Sequence, residues 1–165
     1  MILTKKILRK IRPIAPFNFD GTVYVPHHFP TPDFKWIKGV YWQTMNFDGK
    51  LLGIKMENKG ATNKPSIKLT IYSKKKLMKS EVQNIVSELN WRYGLDEDIS
   101  EFCEEFKSDK FLKPVLKRWK GMRINCANSL YELLIIAIVL QNATVRRSVQ
   151  MMNNLLSKYG KKIEI

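Results

Sequence analysis

The sequence predicts an α+β protein: an N-terminal antiparallel sheet packed with a helix over residues 1–94, followed by an incomplete all-helical domain over residues 95–165. Three observations predict it. Apolar and polar residues alternate through residues 17–73, punctuated by Asp-Gly and Pro turns. From residue 80 the apolar spacing changes to i, i+3, i+4, i+7, with Ser-x-x-Gln and Ser-x-x-Glu helix starts at Ser80 and Ser129. The charge balance changes as well. Residues 1–80 hold 16 Lys/Arg against 4 Asp/Glu, an excess of 12, whereas residues 81–165 hold 13 against 11, an excess of 2.

A chain of 165 residues makes one domain or two small ones. Its 44% hydrophobic and 11% aromatic content supports a core and excludes global disorder. A net charge of +14 favours polyanionic partners, nucleic acid or an acidic lipid surface, unless a lysine-rich background accounts for it. The two cysteines, Cys103 and Cys126, have neither zinc-site nor disulfide spacing, and Cys103 sits on the apolar face of a helical stretch as a core residue. The longest uncharged apolar run, Leu133–Leu140, has eight residues, and a membrane span needs about 20. No membrane role is expected, no secretion signal is visible, and the expected setting is cytoplasmic and nucleoid-associated.

Residues 1–16 read as an edge strand or a loose basic arm, with Lys5, Lys6, Arg9, Lys10 and Arg12 as candidate phosphate contacts. Phe17-Asn-Phe before Asp20-Gly21 reads as a strand end and turn. The three prolines of residues 25–36 predict extended or loop structure. A hairpin follows, with Val40, Trp42 and Thr44 on one arm, Asp48-Gly49 at the turn, and Leu52, Ile54 and Met56 on the other. Ile67, Leu69 and Ile71 mark a further strand, giving about four over residues 17–73. The first covering helix carries Val82, Ile85, Val86 and Leu89 and stops at Gly94.

Beyond residue 96, Ile99, Phe102, Cys103 and Phe106 share one helical face, and Leu112, Val115, Leu116 and Trp119 another. Pro114 makes that second helix start late or bend. Leu130–Leu140 is apolar on nearly every side, so it should be enclosed by protein. The polar pair Gln141-Asn142 breaks the run, and Val145, Val149, Met152, Leu156 and Tyr159 form a last stripe closed by Gly160. Asn142 or Thr144 is the expected cap of that last helix. Arg146 and Arg147 at its start oppose the helix dipole, which hints at an external anion. The four tryptophans, Trp36, Trp42, Trp91 and Trp119, are read as core rather than as a stacking platform. The adjacent His27 and His28 point opposite ways on an extended chain, a poor metal pair.

Asp109, Leu112, Gly121, Arg123, Tyr131, Glu132, Ile138, Gln141, Arg147 and Gly160 occur in the order and spacing of a known pattern. Through them the chain resembles the opening of the helical domain in helix-hairpin-helix superfamily DNA glycosylases of the 3-methyladenine and 8-oxoguanine type. Residues 17–90 resemble the sheet-and-helix domain that precedes it there. The resemblance implies base excision repair, in which DNA is bent and a damaged base flipped out. It places the wedge at Asn142 with Gln141 beside it, a polar wedge being closer to the 8-oxoguanine type. It places Arg147 on the orphaned cytosine, while Arg146 would hold a phosphate. The family's Gly-rich hairpin, catalytic Lys and catalytic Asp have no counterpart in these residues. Asp96, Asp98, Glu101 and Glu105 read as solvated, so no catalytic residue is assigned, and no metal or cofactor is expected. The chain alone is expected to be inactive. Its expected partners are duplex DNA with a damaged base and a second chain or C-terminal half carrying the helix-hairpin-helix, with a homo-oligomer left open. The alternative reading is a non-catalytic basic DNA-binding module.

Overall fold

The computed structural model describes residues 1–24, 33–126 and 129–164, so His27 and His28 lie outside the described residues. Its elements run β1 (Lys5–Ile11), α1 (Phe19–Val23), β2 (Phe34–Ile37), β3 (Val40–Phe47), β4 (Lys50–Asn58), β5 (Ile67–Ser73), α2 (Lys79–Tyr93), α3 (Ser100–Glu105), α4 (Leu112–Trp119), α5 (Leu130–Leu140) and α6 (Val145–Tyr159). The strands form one antiparallel sheet in the order β1-β5-β4-β3-β2. The basic N-terminal stretch is therefore an edge strand, and its paired basic residues, Lys5-Lys6 and Arg9-Lys10, suit an edge that should not recruit another strand.

Asp48 and Gly49 both take positive φ (48° and 71°), the conformation that joins two twisted strands through a two-residue loop. That turn sets the pairing of Phe47 with Lys50 and of Met45 with Leu52. The buried face of β3 is consequently Tyr41, Gln43 and Met45, and the alternation expected through Val40, Trp42 and Thr44 points to the other side. Both sets of alternate residues contain apolar side chains, so only the cross-strand partner settles the parity. Leu52, Ile54, Met56, Ile67, Leu69 and Ile71 face inward as expected, against Val82, Ile85 and Leu89 of α2.

Three local expectations change. Phe17-Asn-Phe is not a strand: Asn18 caps the short helix α1, its side-chain oxygen accepting from Gly21 N at 2.9 Å, which buries Phe17 and Phe19 in the core. The first long helix begins earlier than Ser80. Met78 occupies the cap position, and the Glu81 carboxylate accepts from the Met78 amide at 2.6 Å. None of the four tryptophans is fully buried, and Trp91 is 69% exposed. Trp36 is only half-buried, its indole donating to Asp20 at 3.1 Å. Gly94 closes α2 in the left-handed conformation at φ 55°, as its position predicts, and Cys103 is buried.

The helical part is tied to the sheet by residues 121–126. Gly121 (φ +84°) lies where an added Cβ would be 2.7 Å from Phe17 N and 2.8 Å from Pro16 C, and its carbonyl accepts from Asn18 N at 2.7 Å. The buried Arg123 guanidinium donates to the carbonyls of Gly121 (3.1 Å), Pro16 (3.0 Å) and Glu97 (2.7 Å). Burial pushes its pKa down, and Glu97 opposes that shift. The Asn125 side chain donates to the Thr22 carbonyl, and Cys126 N to the Arg92 carbonyl at 2.7 Å. Pro114 falls in the first turn of α4, where its missing N–H costs nothing, and Asp109 caps that turn by accepting from Phe111 N and Leu112 N at 2.8 Å each.

Candidate functional site

The helix α5 opens as the sequence predicts, with Ser129 Oγ accepting from Glu132 N and the Glu132 carboxylate accepting from Ser129 N. Its enclosure does not follow. Val139 alone of its residues is buried, while Leu130, Tyr131, Leu134 and Ile138 are 54–75% exposed. Within the described residues α5 packs chiefly on α6, through a small cluster of Val139 and Met152 flanked by Ile135, Ile136, Leu140 and Val149. The described residues leave its other apolar sides uncovered.

Between the two helices the chain turns sharply. Gln141 ends α5 in an extended conformation, Asn142 takes φ +51°, and Thr144 caps α6 by accepting from Arg147 N at 3.4 Å. Asn142 is thus not the cap. Asn tolerates the left-handed region better than most residues, which explains why it can occupy this corner. Ser148, fully buried, donates its hydroxyl to the Val139 carbonyl at 3.0 Å and pins the first turn of α6 to the last turn of α5.

All five residues singled out in the sequence are brought together here: Gln141, Asn142, Thr144, Arg146 and Arg147 are exposed around one corner. The first turn of α6 contains no acidic residue, so the two arginines and the unpaired helix N–H groups face the same solvent. The cavities of about 530 and 740 Å³ are lined by the β3–β4 turn, the start of α2 and the C-terminal half of α6, and by no residue of the elbow. Asp96, Asp98, Glu101 and Glu105 are exposed on the α2–α3 connection and α3, as expected of solvated groups. Among the described residues no three His, Cys, Asp or Glu side chains are grouped to hold a metal ion. No helix is long and apolar enough to cross a membrane, as judged on the described residues. Ser148 and Arg123 position the elbow and its attachment. The sequence singled out Arg123 only as a residue of the glycosylase-like pattern and Ser148 not at all, since a buried Ser or Arg carries no periodic signal.

An antiparallel sheet backed by one long helix, followed by a helix-elbow-helix with an apolar first arm, is an α+β arrangement with a recognisable relative. The chain superposes on the 3-methyladenine DNA glycosylase from Archaeoglobus fulgidus with a TM-score of 0.72 at 17% sequence identity, covering 95% of this chain and 52% of that one. The chain therefore shares the fold of about half of that structure. No family model and no curated protein sequence matches the chain.

Proposed function

We propose that the chain is the DNA-distorting part of a DNA glycosylase for oxidised or alkylated purines. The exposed Gln141-Asn142 elbow carries this reading: an exposed polar side chain on a left-handed corner, flanked by two arginines at a helix N-terminus. A wedge needs to be convex, rigid and backed by phosphate contacts. Ser148 supplies rigidity, and Arg146 with the α6 N-terminus suits a phosphate. Arg147 suits the edge of the base left behind when its partner is flipped. The polar Asn142 favours the 8-oxoguanine type, while the fold neighbour is a 3-methyladenine enzyme. The sheet domain, residues 1–94, would serve as platform, and residues 95–165 as the first portion of the helical domain. Hydrolysis of a glycosidic bond calls for a carboxylate or an amine at the flipped nucleotide. We place those groups in a helix-hairpin-helix half outside these residues, seated on the exposed sides of α5, and the enzyme in the cytoplasm with the nucleoid.

Binding of the chain to a duplex with a central 8-oxoguanine or abasic analogue, against the undamaged duplex, tests the wedge. Asn142→Gly is the informative variant, because glycine keeps the left-handed corner and removes only the side chain. The expected result is tighter binding to the lesion duplex, lost in Asn142→Gly and reduced in Arg147→Gln. Equal affinity for both duplexes, unchanged by Asn142→Gly, would instead establish a basic module that holds phosphates alone.

A further inference from the structure

The sheet has a second face. Cross-strand pairing places Lys10, Lys68 and Glu57 in one row, and Leu8, Thr70, Lys55, Trp42 and Lys35 in the next. Lys6 and Tyr72 share the row beyond. These residues point away from the α2 side. The hairpin end of this face is flanked by α6 and the tail, where Thr44, Asn46 and Leu51 line a groove with Asn153 and Leu156. The remainder exposes Lys6, Lys10, Lys35 and Lys68, with Leu8, around a buried Thr70.

The charge on this surface is lopsided. Glu57 is its one strand carboxylate among the described residues, and three lysines share it: Lys55 at 3.6 Å, Lys59 at 3.4 Å and Lys68 at 3.4 Å. Burial alone would raise the Glu57 pKa, yet these lysines bring it below its ordinary value, so the carboxylate stays charged and already satisfied. No ion pair among the described residues holds Lys6, Lys10 or Lys35. The aromatic rings are not open for stacking, because Lys55 lies over Trp42 at 5.4 Å and Lys6 over Tyr72 at 6.0 Å. From β1 to β2 the sheet spans four strand spacings, about 19 Å. That width matches roughly five or six phosphates along one strand of a duplex, at about 3.4 Å of axis each.

We propose that this outer sheet face is a second binding surface, which takes the phosphate backbone of nucleic acid without reading sequence or damage. Spare cations at a width commensurate with a phosphate strand, with no ring on this face open to stack a base among the described residues, define a backbone contact. The surface stands on observations separate from the elbow and holds whether or not the elbow acts as a wedge.

The test is a triple variant of the unpaired lysines, Lys6→Gln, Lys10→Gln and Lys35→Gln, assayed on an undamaged duplex across a salt series. A control triple, Lys74→Gln, Lys75→Gln and Lys76→Gln, removes the same charge from the β5–α2 connection. All six lysines are exposed, so folding should be unchanged, which circular dichroism and thermal melting verify. At ~100 mM salt the sheet triple should weaken binding about tenfold or more and lower the slope of log K against log salt by roughly 2 to 3, at about 0.9 for each phosphate no longer neutralised. The control should weaken binding less than about threefold. The lesion-to-plain affinity ratio should be unaffected by the sheet triple, whereas Asn142→Gly acts on that ratio alone. Equal loss in both triples would show a net-charge effect and overturn the proposal, as would an unchanged Kd in the sheet triple. Loss of duplex binding in the sheet triple without any lesion preference in the parent would sink the wedge and leave this surface standing.

Discussion

The Ser148 hydroxyl of α6 donates to the Val139 carbonyl of α5 across 3.0 Å, and both residues are closed to solvent, at 0% and 8% exposure. Two helices that meet at a corner need such a tie, because carbonyls in the last turn of a helix lack intrahelical partners. Ser148→Ala removes the donor and strands a buried acceptor. The expected cost is about 1–3 kcal/mol, seen as a lower denaturation midpoint with an unchanged denaturant slope. The elbow should loosen with it, so the variant should also weaken any preference for damaged DNA. A stability loss with full lesion preference would show that elbow rigidity is not required.

Arg123 holds a second junction. Its guanidinium reaches three carbonyls from three separate stretches, Pro16, Glu97 and Gly121, at 4% exposure. Lysine keeps the charge and loses the fork. Arg123→Lys should therefore cost about 2–3 kcal/mol, or roughly 5–10 °C in Tm for a chain of this size. Gly121→Ala should do comparable harm by a different route, placing a methyl against the backbone of Pro16 and Phe17 at a left-handed φ. Thermal unfolding measures both, and an Arg123→Lys protein as stable as the parent would refute the clamp.

Tyr93 and Tyr41 both donate to Gln43 Oε1 within the core, at 2.6 and 3.2 Å. Burial raises the Tyr41 pKa from 10.0 to about 12, and burial pushes Tyr93 well above its ordinary value too. Each phenol therefore stays protonated when folded at a pH where the unfolded chain would release the proton. Their stabilising contribution is complete below pH 10.0 and is lost as pH climbs toward about 12. Over that window each tyrosine should steepen the decline by about 1.4 kcal/mol per pH unit. Tyr41→Phe should reduce the slope by one such increment, a difference that chemical denaturation at pH 9, 10 and 11 reads directly. Identical slopes for the two proteins would contradict the buried-phenol account.

The parts of this fold that were legible share a local cause. Asp48-Gly49 announces a two-residue turn because both positions must reach positive φ, and the hairpin lies where that pair puts it. The Ser129 and Glu132 box starts α5 on the expected residue, and Gly94 ends α2. The elbow was legible because two polar residues interrupt an apolar run. What was hidden depends on partners distant in sequence. The inward side of β3 follows from its pairing with Leu52, Ile54 and Met56, which the residues of β3 do not encode alone. The helix at Phe19 is too short for periodicity, and its Asp20-Gly21 pair imitates a hairpin turn, although Asn18 three residues before Gly21 was a usable cap signal. At the site, Asn142 and Thr144 were indistinguishable as caps until backbone geometry gave the cap to Thr144 and the corner to Asn142.

The exposed sides of α5 make the last expectation quantitative. Leu134 is 54% and Ile138 66% exposed, so replacing both with Gln removes little buried area from this chain. The double variant should alter the stability of the isolated protein by no more than about 0.5 kcal/mol per site. Contiguous apolar surface of this kind seldom stays wet in a monomer. If a helical half seats there, each of the two side chains contributes about 1.5–3 kcal/mol on full burial, and the pair roughly a hundredfold or more in Kd. Leu134→Gln with Ile138→Gln should thus leave unfolding midpoints nearly unchanged while abolishing co-purification with a helix-hairpin-helix partner, and it should lower any self-association seen by sedimentation velocity. A large drop in the stability of the isolated chain would mean that its own residues already cover α5, and the docking face would be lost with that result.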